Sequence, residues 1–182
     1  TLSMELTDRR GKTRSRTTRG FRKYFGKEKR TVLFYTAPAN IKDTAFLTYD
    51  YPDLQKDDDQ WLYLPAARKI RRISASDRGD YFLGTDFSYE DIKNENKPNL
   101  SDYSYGRLGN EIVDGVECIV IEGIPVSEDV SRELGYGRVL VRVDPGIWMP
   151  RKTEFWDIKN NPLKTIYVRD ILLIDGIWTT QE

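Results

Sequence analysis

The chain lacks histidine altogether and contains a single cysteine. The absence of histidine removes the commonest metal ligand and the commonest general base at neutral pH. One cysteine cannot form a disulfide within the chain, and Cys118 lies in the alternating run VECIVIEG, which favours a small buried apolar residue over a nucleophile. A glycine-rich phosphate loop is also missing. The sequence therefore predicts a protein that is not an enzyme, with no catalytic residues, no metal site and no cofactor.

Long apolar runs are missing as well. No segment approaches the roughly 20 apolar residues that a membrane-spanning helix requires. The opening residues TLSMELTDRRGKT have neither the basic region nor the apolar region of a signal peptide. A length of 182 residues with 38% hydrophobic residues suits one domain with its own core and is too short to expect two. We therefore expect residues 1–182 to form a single domain.

Net charge is zero, but the charges are unevenly distributed. Residues 1–30 carry eleven Lys and Arg against three acids, a net charge of +8. Such a segment can bind phosphates or anionic lipid head groups, but we favour the interpretation that it faces the acidic remainder of the molecule. Among these charges the aromatic residues are few, with only Phe21, Tyr24 and Phe25 clustered. A groove for single-stranded nucleic acid is therefore not predicted.

Short alternating runs separated by turn residues fill most of the chain. LSMELTD, TVLFYTAP, TAFLTYD and WLYLP read as strands, and the second half continues in the same way. Asp114-Gly115, Asp144-Pro145-Gly146, Asn161-Pro162 and Asp175-Gly176 mark turns. Helical candidates are confined to the neighbourhoods of residues 74 and 127. The pattern predicts a mainly β fold of the α+β type, an antiparallel meander forming one strongly curved sheet with little helix.

Three carboxylates and two aromatic residues crowd the segment GTDFSYEDI. Asp86, Glu90 and Asp91 could hold a metal or act as acid and base, but the alternating ligands of a calcium loop are missing. Ser88 suits a helix N-cap, with Asp91 three residues later and both Glu90 and Asp91 at the positive end of the helix dipole. We predict a strand ending at Phe87, followed by a short capped helix. The acids then have a structural role.

The apolar runs TVLFY and WLYLP have apolar residues on both faces of a strand. A sheet with water on one side should alternate between apolar and polar residues. A strand that is apolar on both faces is either covered on both sides, as in a sandwich, or lines a cavity for a lipid. Periodicity alone does not separate these two alternatives.

The segment WLYLPAARKIRRISASDRGDYFLGTDFSYEDI resembles the outer-membrane lipoprotein-sorting family, the LolA/LolB-like periplasmic carriers, and in particular the less characterised branch of LolA-like proteins. Tyr63-Leu64-Pro65, Arg68 to Ile73 and Gly84 to Ile92 carry the likeness. WMPRKTEFWD and LLIDGIWTTQE are similar too, so the resemblance covers nearly the whole chain. Members of this family usually begin with a signal peptide and a helix ahead of the first strand, and they continue beyond the region of residue 182. We therefore expect this chain to be trimmed at both ends.

This resemblance implies a half-open β-barrel with a few short helices covering its concave side. It implies a carrier in the periplasm of a Gram-negative bacterium that binds lipoprotein acyl chains or another lipid-like ligand in a hydrophobic cavity. An inner-membrane exporter is the implied protein partner, and peripheral contact with membranes is compatible with this role. The alternative is a non-carrier accessory protein of the same fold, which binds an exporter or envelope partner through its surface.

The residues predicted to point into the cavity are the apolar ones of the two-faced strands and their neighbours. They are Leu33, Tyr35, Leu62, Leu64, Phe87, Tyr89, Val139, Val141 and Phe155. For each of them, plain core packing is the alternative. Because a carrier must release its cargo, the short helices near residues 74–95 and 127–136 are predicted to act as a lid.

Overall fold

A computed structural model describes residues 1–8, 10–53, 56–94 and 100–180 of the chain. The chain divides into two compact units, unit 1 at Thr1–Arg78 and unit 2 at Gly79–Glu182. Within the described ranges, no helix is both long enough and apolar enough to cross a membrane.

Unit 1 contains a six-stranded antiparallel sheet in which the strands are neighbours in the order of the sequence. The strands are β1 (Leu2–Thr7), β2 (Thr13–Phe25), β3 (Glu28–Ala37), β4 (Ala45–Asp50), β5 (Asp59–Leu64) and β6 (Lys69–Arg72). A short 3₁₀ turn at Ala75–Asp77 follows the last strand. This arrangement is the predicted meander, because each strand pairs with the next through a short connection.

The register of the unit 1 sheet fixes which side chains share a face. Directly paired residues of an antiparallel ladder point to the same side. One row across the sheet joins Arg19 to Phe34, Ala45, Tyr63 and Ile70. A second row joins Phe21, Val32, Leu47, Trp61 and Arg72 on the same side. We call this side the aromatic face, and the other side, which carries Tyr35, Phe46 and Leu62, the buried face.

Unit 2 contains a five-stranded antiparallel sheet in the order β11-β10-β9-β8-β7 and a separate two-stranded hairpin. The sheet strands are β7 (Tyr103–Val113), β8 (Val116–Pro125), β9 (Arg138–Asp144), β10 (Met149–Trp156) and β11 (Pro162–Tyr167). The hairpin consists of β12 (Ile171–Ile174) and β13 (Ile177–Thr180). Two short helices, α1 (Tyr89–Asn94) and α2 (Glu128–Leu134), and a 3₁₀ turn at Leu100–Asp102 complete the unit.

Turn residues act where the sequence predicted them. Asp114 and Gly115 join β7 to β8 with φ of 49° and 79°, and Asp175 and Gly176 join β12 to β13 with φ of 49° and 78°. Two consecutive residues with positive φ match the twist of a two-residue hairpin, and this conformation favours Asp-Gly. These two hairpin predictions are confirmed.

Both helices of unit 2 begin with a serine cap. The Ser88 hydroxyl accepts a hydrogen bond from the Asp91 N–H at 3.0 Å, and the Asp91 carboxylate accepts one from the Ser88 N–H at 2.7 Å. This reciprocal pair is a capping box, with aspartate in the position usually held by glutamate. In α2 the Ser127 side chain accepts from the Val130 N–H, and Gly135 ends the helix with a φ of 80°. The predicted capping of α1 is confirmed.

The mainly β, antiparallel fold class is confirmed, with two differences in detail. The described strands form three hydrogen-bonded sheets instead of one continuous sheet, and the described residues 73–94 that follow β6 form turns, a loop and α1. Phe87 does not end a strand. It lies in a loop whose backbone is tied by the Phe82 N–H donating to the Phe87 carbonyl at 2.7 Å. The prediction of a single domain stays a prediction.

The core contains the chain's single cysteine. Cys118 lies in β8 and its side chain is fully buried, as its alternating sequence context predicted. Burial raises the pKa of the Cys118 thiol, and the nearby Asp144 carboxylate acts in the same direction. The thiol therefore stays protonated at neutral pH and packs as a small apolar group.

Two glycines bring segments of unit 2 into close contact. A Cβ at Gly79 would lie 2.9 Å from the Arg132 carbonyl oxygen and 2.9 Å from the backbone of Gly135. The loop that leads into α1 therefore passes directly against the end of α2. A methyl group at this crossing would force two backbones apart.

We expect Gly79→Ala to lower the free energy of unfolding by about 1–3 kcal/mol, the usual effect of overpacking. Gly106→Ala is the matched control, because a Cβ there meets nothing within 4 Å. It should be neutral or slightly stabilising, since alanine restricts the unfolded chain. Urea unfolding followed by circular dichroism measures both. Equal unfolding midpoints for the two variants would contradict the close approach.

Candidate functional site

The aromatic face of unit 1 contains an open pocket of about 440 Å³, which we call the unit 1 pocket. Its lining is contributed by the four strands from β3 to β6. The lining residues are Val32, Ala45, Leu47, Tyr49, Trp61, Tyr63 and Ile70. None of these side chains carries a charge, so the pocket offers apolar and aromatic surface directly to solvent.

A small residue at the centre of the aromatic face makes room for the pocket. Ala45 stands between Phe34 and Tyr63 in one row across the sheet and is followed on its own strand by Leu47. Larger side chains therefore surround a position that contributes only a methyl group. The surrounding rings support each other, with Tyr49 packed edge-on against Trp61 at 5.0 Å between ring centroids.

Charged residues occupy the margins of the aromatic face. The Arg30 guanidinium lies 4.2 Å from the ring centroids of both Phe25 and Tyr49 and is bound to Glu28 at 2.5 Å. Asp59 lies in the same row across the sheet as Arg30 and Tyr49, and it pairs with Arg72 of β6. Burial acts to raise the pKa of Asp59, but hydrogen bonds from Arg72 and Tyr51 outweigh it and hold the pKa below its usual value. Both acids of this face are thus neutralised by arginine.

Unit 2 contains a smaller pocket of about 150 Å³, which we call the unit 2 pocket. It lies between the sheet and the two helices, with apolar walls and three polar residues from α1. It is lined by Glu90, Asp91, Asn94, Tyr103, Tyr105, Leu134, Tyr136, Val139, Val141, Pro150, Thr153, Phe155, Ile166 and Val168. A cavity of about this volume with an apolar lining admits a molecule the size of benzene. It can hold one end of an acyl chain but not the whole chain.

A carboxylate at the rim of the unit 2 pocket ties α1 to the sheet. Asp91 accepts hydrogen bonds from the Tyr136 hydroxyl at 2.6 Å and from the Lys164 ammonium group at 2.7 Å, in addition to the Ser88 N–H. Lys164 also donates to the Asp86 carbonyl at 2.9 Å. One side chain of α1 therefore joins the N-cap of its own helix to two other segments of unit 2, the residues before β9 and strand β11.

Aromatic rings surround the Lys164 ammonium group. Its nitrogen lies 5.0 Å from the ring centroids of Tyr136 and Phe155 and 5.2 Å from that of Phe87. Burial lowers the pKa of Lys164, and the Asp91 carboxylate opposes this change. Burial also raises the pKa of the Tyr136 phenol, and the Asp91 charge adds to that effect. The site is therefore a filled aromatic cage, occupied by the protein's own lysine.

The acids singled out from the sequence all contact other residues, Glu90 and Asp91 through their carboxylates and Asp86 through its backbone carbonyl. The Glu90 carboxylate pairs with the Lys93 ammonium group at 2.6 Å, and both side chains are buried. Asp91 is the carboxylate described above, and Asp86 contributes its backbone carbonyl to Lys164. The described part of the chain contains no group of three or more histidine, cysteine or acidic residues placed to hold a metal ion.

Three of the residues predicted for a cavity line the unit 2 pocket, namely Val139, Val141 and Phe155. Tyr89 is buried in unit 2 next to Phe82, and Phe87 contacts Lys164. In unit 1, Leu33, Tyr35, Leu62 and Leu64 lie on the buried face, opposite the unit 1 pocket. Tyr35 and Leu62 are only 1% and 3% exposed and serve as core residues. The structure therefore divides the predicted set between two places.

Sequence analysis missed the residues that line the unit 1 pocket. Although WLYLP alone does not distinguish its two faces, a count of apolar residues over several strands favours the aromatic face. On β4 and β5, the pair Thr48 and Gln60 lies on the buried face. The neighbouring pair on the same two strands, Leu47 and Trp61, lies on the aromatic face. The aromatic face is thus the more apolar of the two, although it is the more exposed.

Comparison with known proteins places the chain among proteins of one fold. One family model, whose description reads "Uncharacterized protein", matches residues 27–182. A solved DUF1329 family protein from Desulfovibrio piger is 32% identical with a TM-score of 0.83, and the match covers 97% of this chain and 72% of that one. No curated protein matches the chain in sequence.

Two further solved structures are similar. A protein domain from Vibrio parahaemolyticus, given as a candidate outer membrane lipoprotein-sorting protein, is 28% identical with a TM-score of 0.82 over 98% of this chain and 72% of that one. A LolA superfamily protein from Nitrosomonas europaea is 22% identical with a TM-score of 0.66 over 98% of this chain and 70% of that one. The second likeness shows the fold alone, and it confirms the predicted LolA-like fold.

We expect Lys164→Met to lower the free energy of unfolding by about 3 kcal/mol, because it leaves the Asp91 carboxylate without its cation at a nearly buried position. Lys159→Met is the matched control, because Lys159 lies in the exposed turn between β10 and β11. It should change the unfolding free energy by less than about 0.5 kcal/mol. Urea unfolding compares the two variants. A neutral Lys164→Met variant would show that the ion pair does not hold α1 in place.

The raised pKa of Tyr136 predicts a loss of stability at high pH. Above the pKa of an ordinary tyrosine, about 10, the unfolded chain releases a proton that folded Tyr136 retains. The unfolding free energy should therefore fall as pH rises above 10, by up to about 1.4 kcal/mol per pH unit for this one group. In Tyr136→Phe that part of the slope should disappear. Urea unfolding at pH 9, 10 and 11 measures it, and parallel slopes for both proteins would exclude the assignment.

Proposed function

The chain belongs to the DUF1329 family, and we propose that it is a periplasmic carrier that binds the acyl chain of a lipoprotein or another lipid-like cargo. The name of the Vibrio parahaemolyticus relative supports this proposal, since that protein is given as a candidate in outer membrane lipoprotein sorting. The fold shared with a LolA superfamily protein is compatible with it. In this proposal the protein acts by binding and release and not by catalysis.

The observation that carries the proposal is the unit 1 pocket. Soluble domains normally bury the most apolar face of a sheet, and a contiguous apolar face left open to water marks a binding site. Here Trp61, Tyr63 and Ile70 belong to such a face, and Ile70 is 71% exposed. The unit 1 pocket, at about 440 Å³, is also larger than the unit 2 pocket, at about 150 Å³.

The energetics of acyl transfer fit an open pocket. Burial of an acyl chain stabilises it by about 0.8 kcal/mol per CH₂, so a chain of about sixteen carbons gains on the order of 10 kcal/mol in a fully apolar site. A carrier with a completely enclosed site would release such a chain very slowly. An open pocket covers only part of the chain and therefore binds it less tightly. Partial coverage supports both loading and release.

We propose that the unit 2 pocket and the helices α1 and α2 have a supporting role. The pocket is too small for a whole chain, and its rim is fastened by Asp91, Lys164 and Tyr136. A lid role for α1, as the sequence suggested, requires this cluster to open. Because a closed ion pair shielded by aromatic rings is costly to break, we assign the main cargo surface to unit 1.

A Gram-negative periplasm and an inner-membrane exporter complete the proposal. The residues that resemble the lipoprotein-sorting carriers support both, and cargo of this kind has to be received from one membrane and delivered to another. The second candidate function is a non-carrier accessory protein that binds an exporter or envelope partner through its surface. The exposed aromatic face of unit 1 favours it equally, since the same residues could meet an apolar protein surface.

Binding of an environment-sensitive fluorescent fatty acid tests the carrier function. We expect micromolar or tighter binding, and we expect Ile70→Glu to weaken it at least tenfold because a carboxylate replaces apolar surface in the pocket. Ile112→Glu is the matched control, since Ile112 is 72% exposed on β7 and lines neither pocket. It should bind like the unchanged protein.

A second variant distinguishes two causes of weaker binding, a blocked pocket and a general loss of apolar surface. Ala45→Phe adds apolar surface but fills the centre of the unit 1 pocket, so it should also weaken binding. Circular dichroism verifies that each variant is folded. If the folded protein binds no probe, or if Ile70→Glu and Ala45→Phe bind as tightly as Ile112→Glu, the accessory function becomes the better explanation.

A further inference from the structure

Two cations project from the first strand of the aromatic face beside the unit 1 pocket. Arg19 lies in the same row as Phe34, Ala45, Tyr63 and Ile70, and Lys23 lies four residues further along β2. Side chains four apart on a strand point to the same side, roughly 13 Å from each other. The two charges therefore flank Phe21 on the aromatic face.

Aromatic rings hold both charges over the apolar surface. The Arg19 guanidinium lies 5.0 Å from the centroid of the Phe21 ring, and the Lys23 ammonium group lies 5.0 Å from the centroid of the Phe25 ring. Phe21 in turn packs edge-on against Phe34 at 6.2 Å between centroids. Cation–π contacts of this kind keep the charged end of a side chain close to the apolar face, although the side chain is long enough to extend into water.

These two cations differ from the other cations of the same face. Arg30 is neutralised by Glu28, and Arg72 is neutralised by Asp59. Within the described ranges of the chain, neither Arg19 nor Lys23 is paired with an acid. The segment of β2 that carries them is also a sheet edge, because β1 pairs only with residues 13–18. The aromatic face thus has an excess of positive charge, and this excess charge lies at the β2 edge of the sheet.

We propose that the cargo is an amphiphile with an anionic head group, whose head lies at the β2 edge in the electrostatic field of Arg19 and Lys23 and whose acyl chain lies along the row that ends at Ile70. This inference rests on the proposed carrier function and specifies its substrate class. From β2 to β6 the row spans four strand spacings of about 4.8 Å each. A long acyl chain can follow that distance across the pocket. The head group then remains at the exposed edge, where it keeps contact with water and finds opposite charge.

The head group provides specificity and the pocket provides affinity. A phosphate or another anion at the β2 edge replaces the counterions of two unpaired cations, whereas a zwitterionic head group brings its own positive charge with it. Two such cations correspond to a preference for the anionic lipid on the order of tenfold or more. The preference should weaken with added salt, because both charges are exposed.

Fluorescent lysophosphatidylglycerol and lysophosphatidylcholine with the same acyl chain and label test the proposal. We expect the folded protein to bind the anionic lipid about tenfold more tightly at low salt. The double change Arg19→Gln with Lys23→Gln should abolish this preference, so that the anionic and the zwitterionic lipid bind the variant equally. Arg10→Gln with Lys12→Gln is the matched control. It removes the same charge from the β1–β2 turn of the same unit and should retain the preference.

The outcomes separate the substrate class from the carrier function. Equal affinity for the two lipids in the unchanged protein, or a preference that survives the loss of Arg19 and Lys23, overturns the head-group assignment and leaves the carrier function standing. Failure to bind either lipid overturns both. Inorganic phosphate should not displace the bound lipid at equal concentration. Displacement by phosphate would show that the cations bind a free anion and would overturn the assignment to an amphiphile.

Discussion

The Asp91 carboxylate is the interaction on which the arrangement of unit 2 depends. It closes the capping box of α1, accepts the Tyr136 hydroxyl and neutralises Lys164, so a single side chain satisfies a backbone N–H, a phenol and an ammonium group. Each partner comes from a different segment. Because a buried cation without its acid is strongly unfavourable, the pair of Asp91 with Lys164 holds α1 against the sheet. The loop before α1, with Asp86 and Phe87, is held by the same lysine.

Unit 1 differs from unit 2 in what it leaves exposed. Its most apolar surface is open to solvent. A meander with apolar residues on both sides of β3, β4 and β5 needs a cover for each side, and in unit 1 only one side is buried. Ala45 prevents the neighbouring rings from closing over the exposed side. Arginines paired with Glu28 and Asp59 mark the limits of the apolar area and keep it from extending to the sheet margins. Such an arrangement stabilises the fold less than a closed core would, and it leaves a surface available to a ligand.

Local features of this fold could be predicted from sequence, and long-range ones could not. The caps at Ser88 and Ser127 and the hairpin at Asp114-Gly115 depend on residues close together in the chain, so their chemistry could be read directly. The contact between Asp91 and Lys164 joins positions 73 residues apart and leaves no local pattern. The cavity role predicted for Leu33 and Leu62 stays a prediction, and the unit 1 pocket lies on the face of the sheet opposite them. A strand such as WLYLP is apolar on both faces, so alternation gives no decision there.

The buried thiol of Cys118 has a practical consequence. Its side chain is fully enclosed in β8 and its pKa is raised, so alkylating reagents that attack thiolates at neutral pH will leave it unmodified. A cysteine introduced at an exposed position would then be the single reactive thiol among the residues described. Spin labels or fluorophores can be attached to such introduced cysteines without first removing Cys118. Distances between labels on the two units can therefore be measured in the presence and absence of lipid. Apart from the introduced cysteines, the sequence stays unaltered.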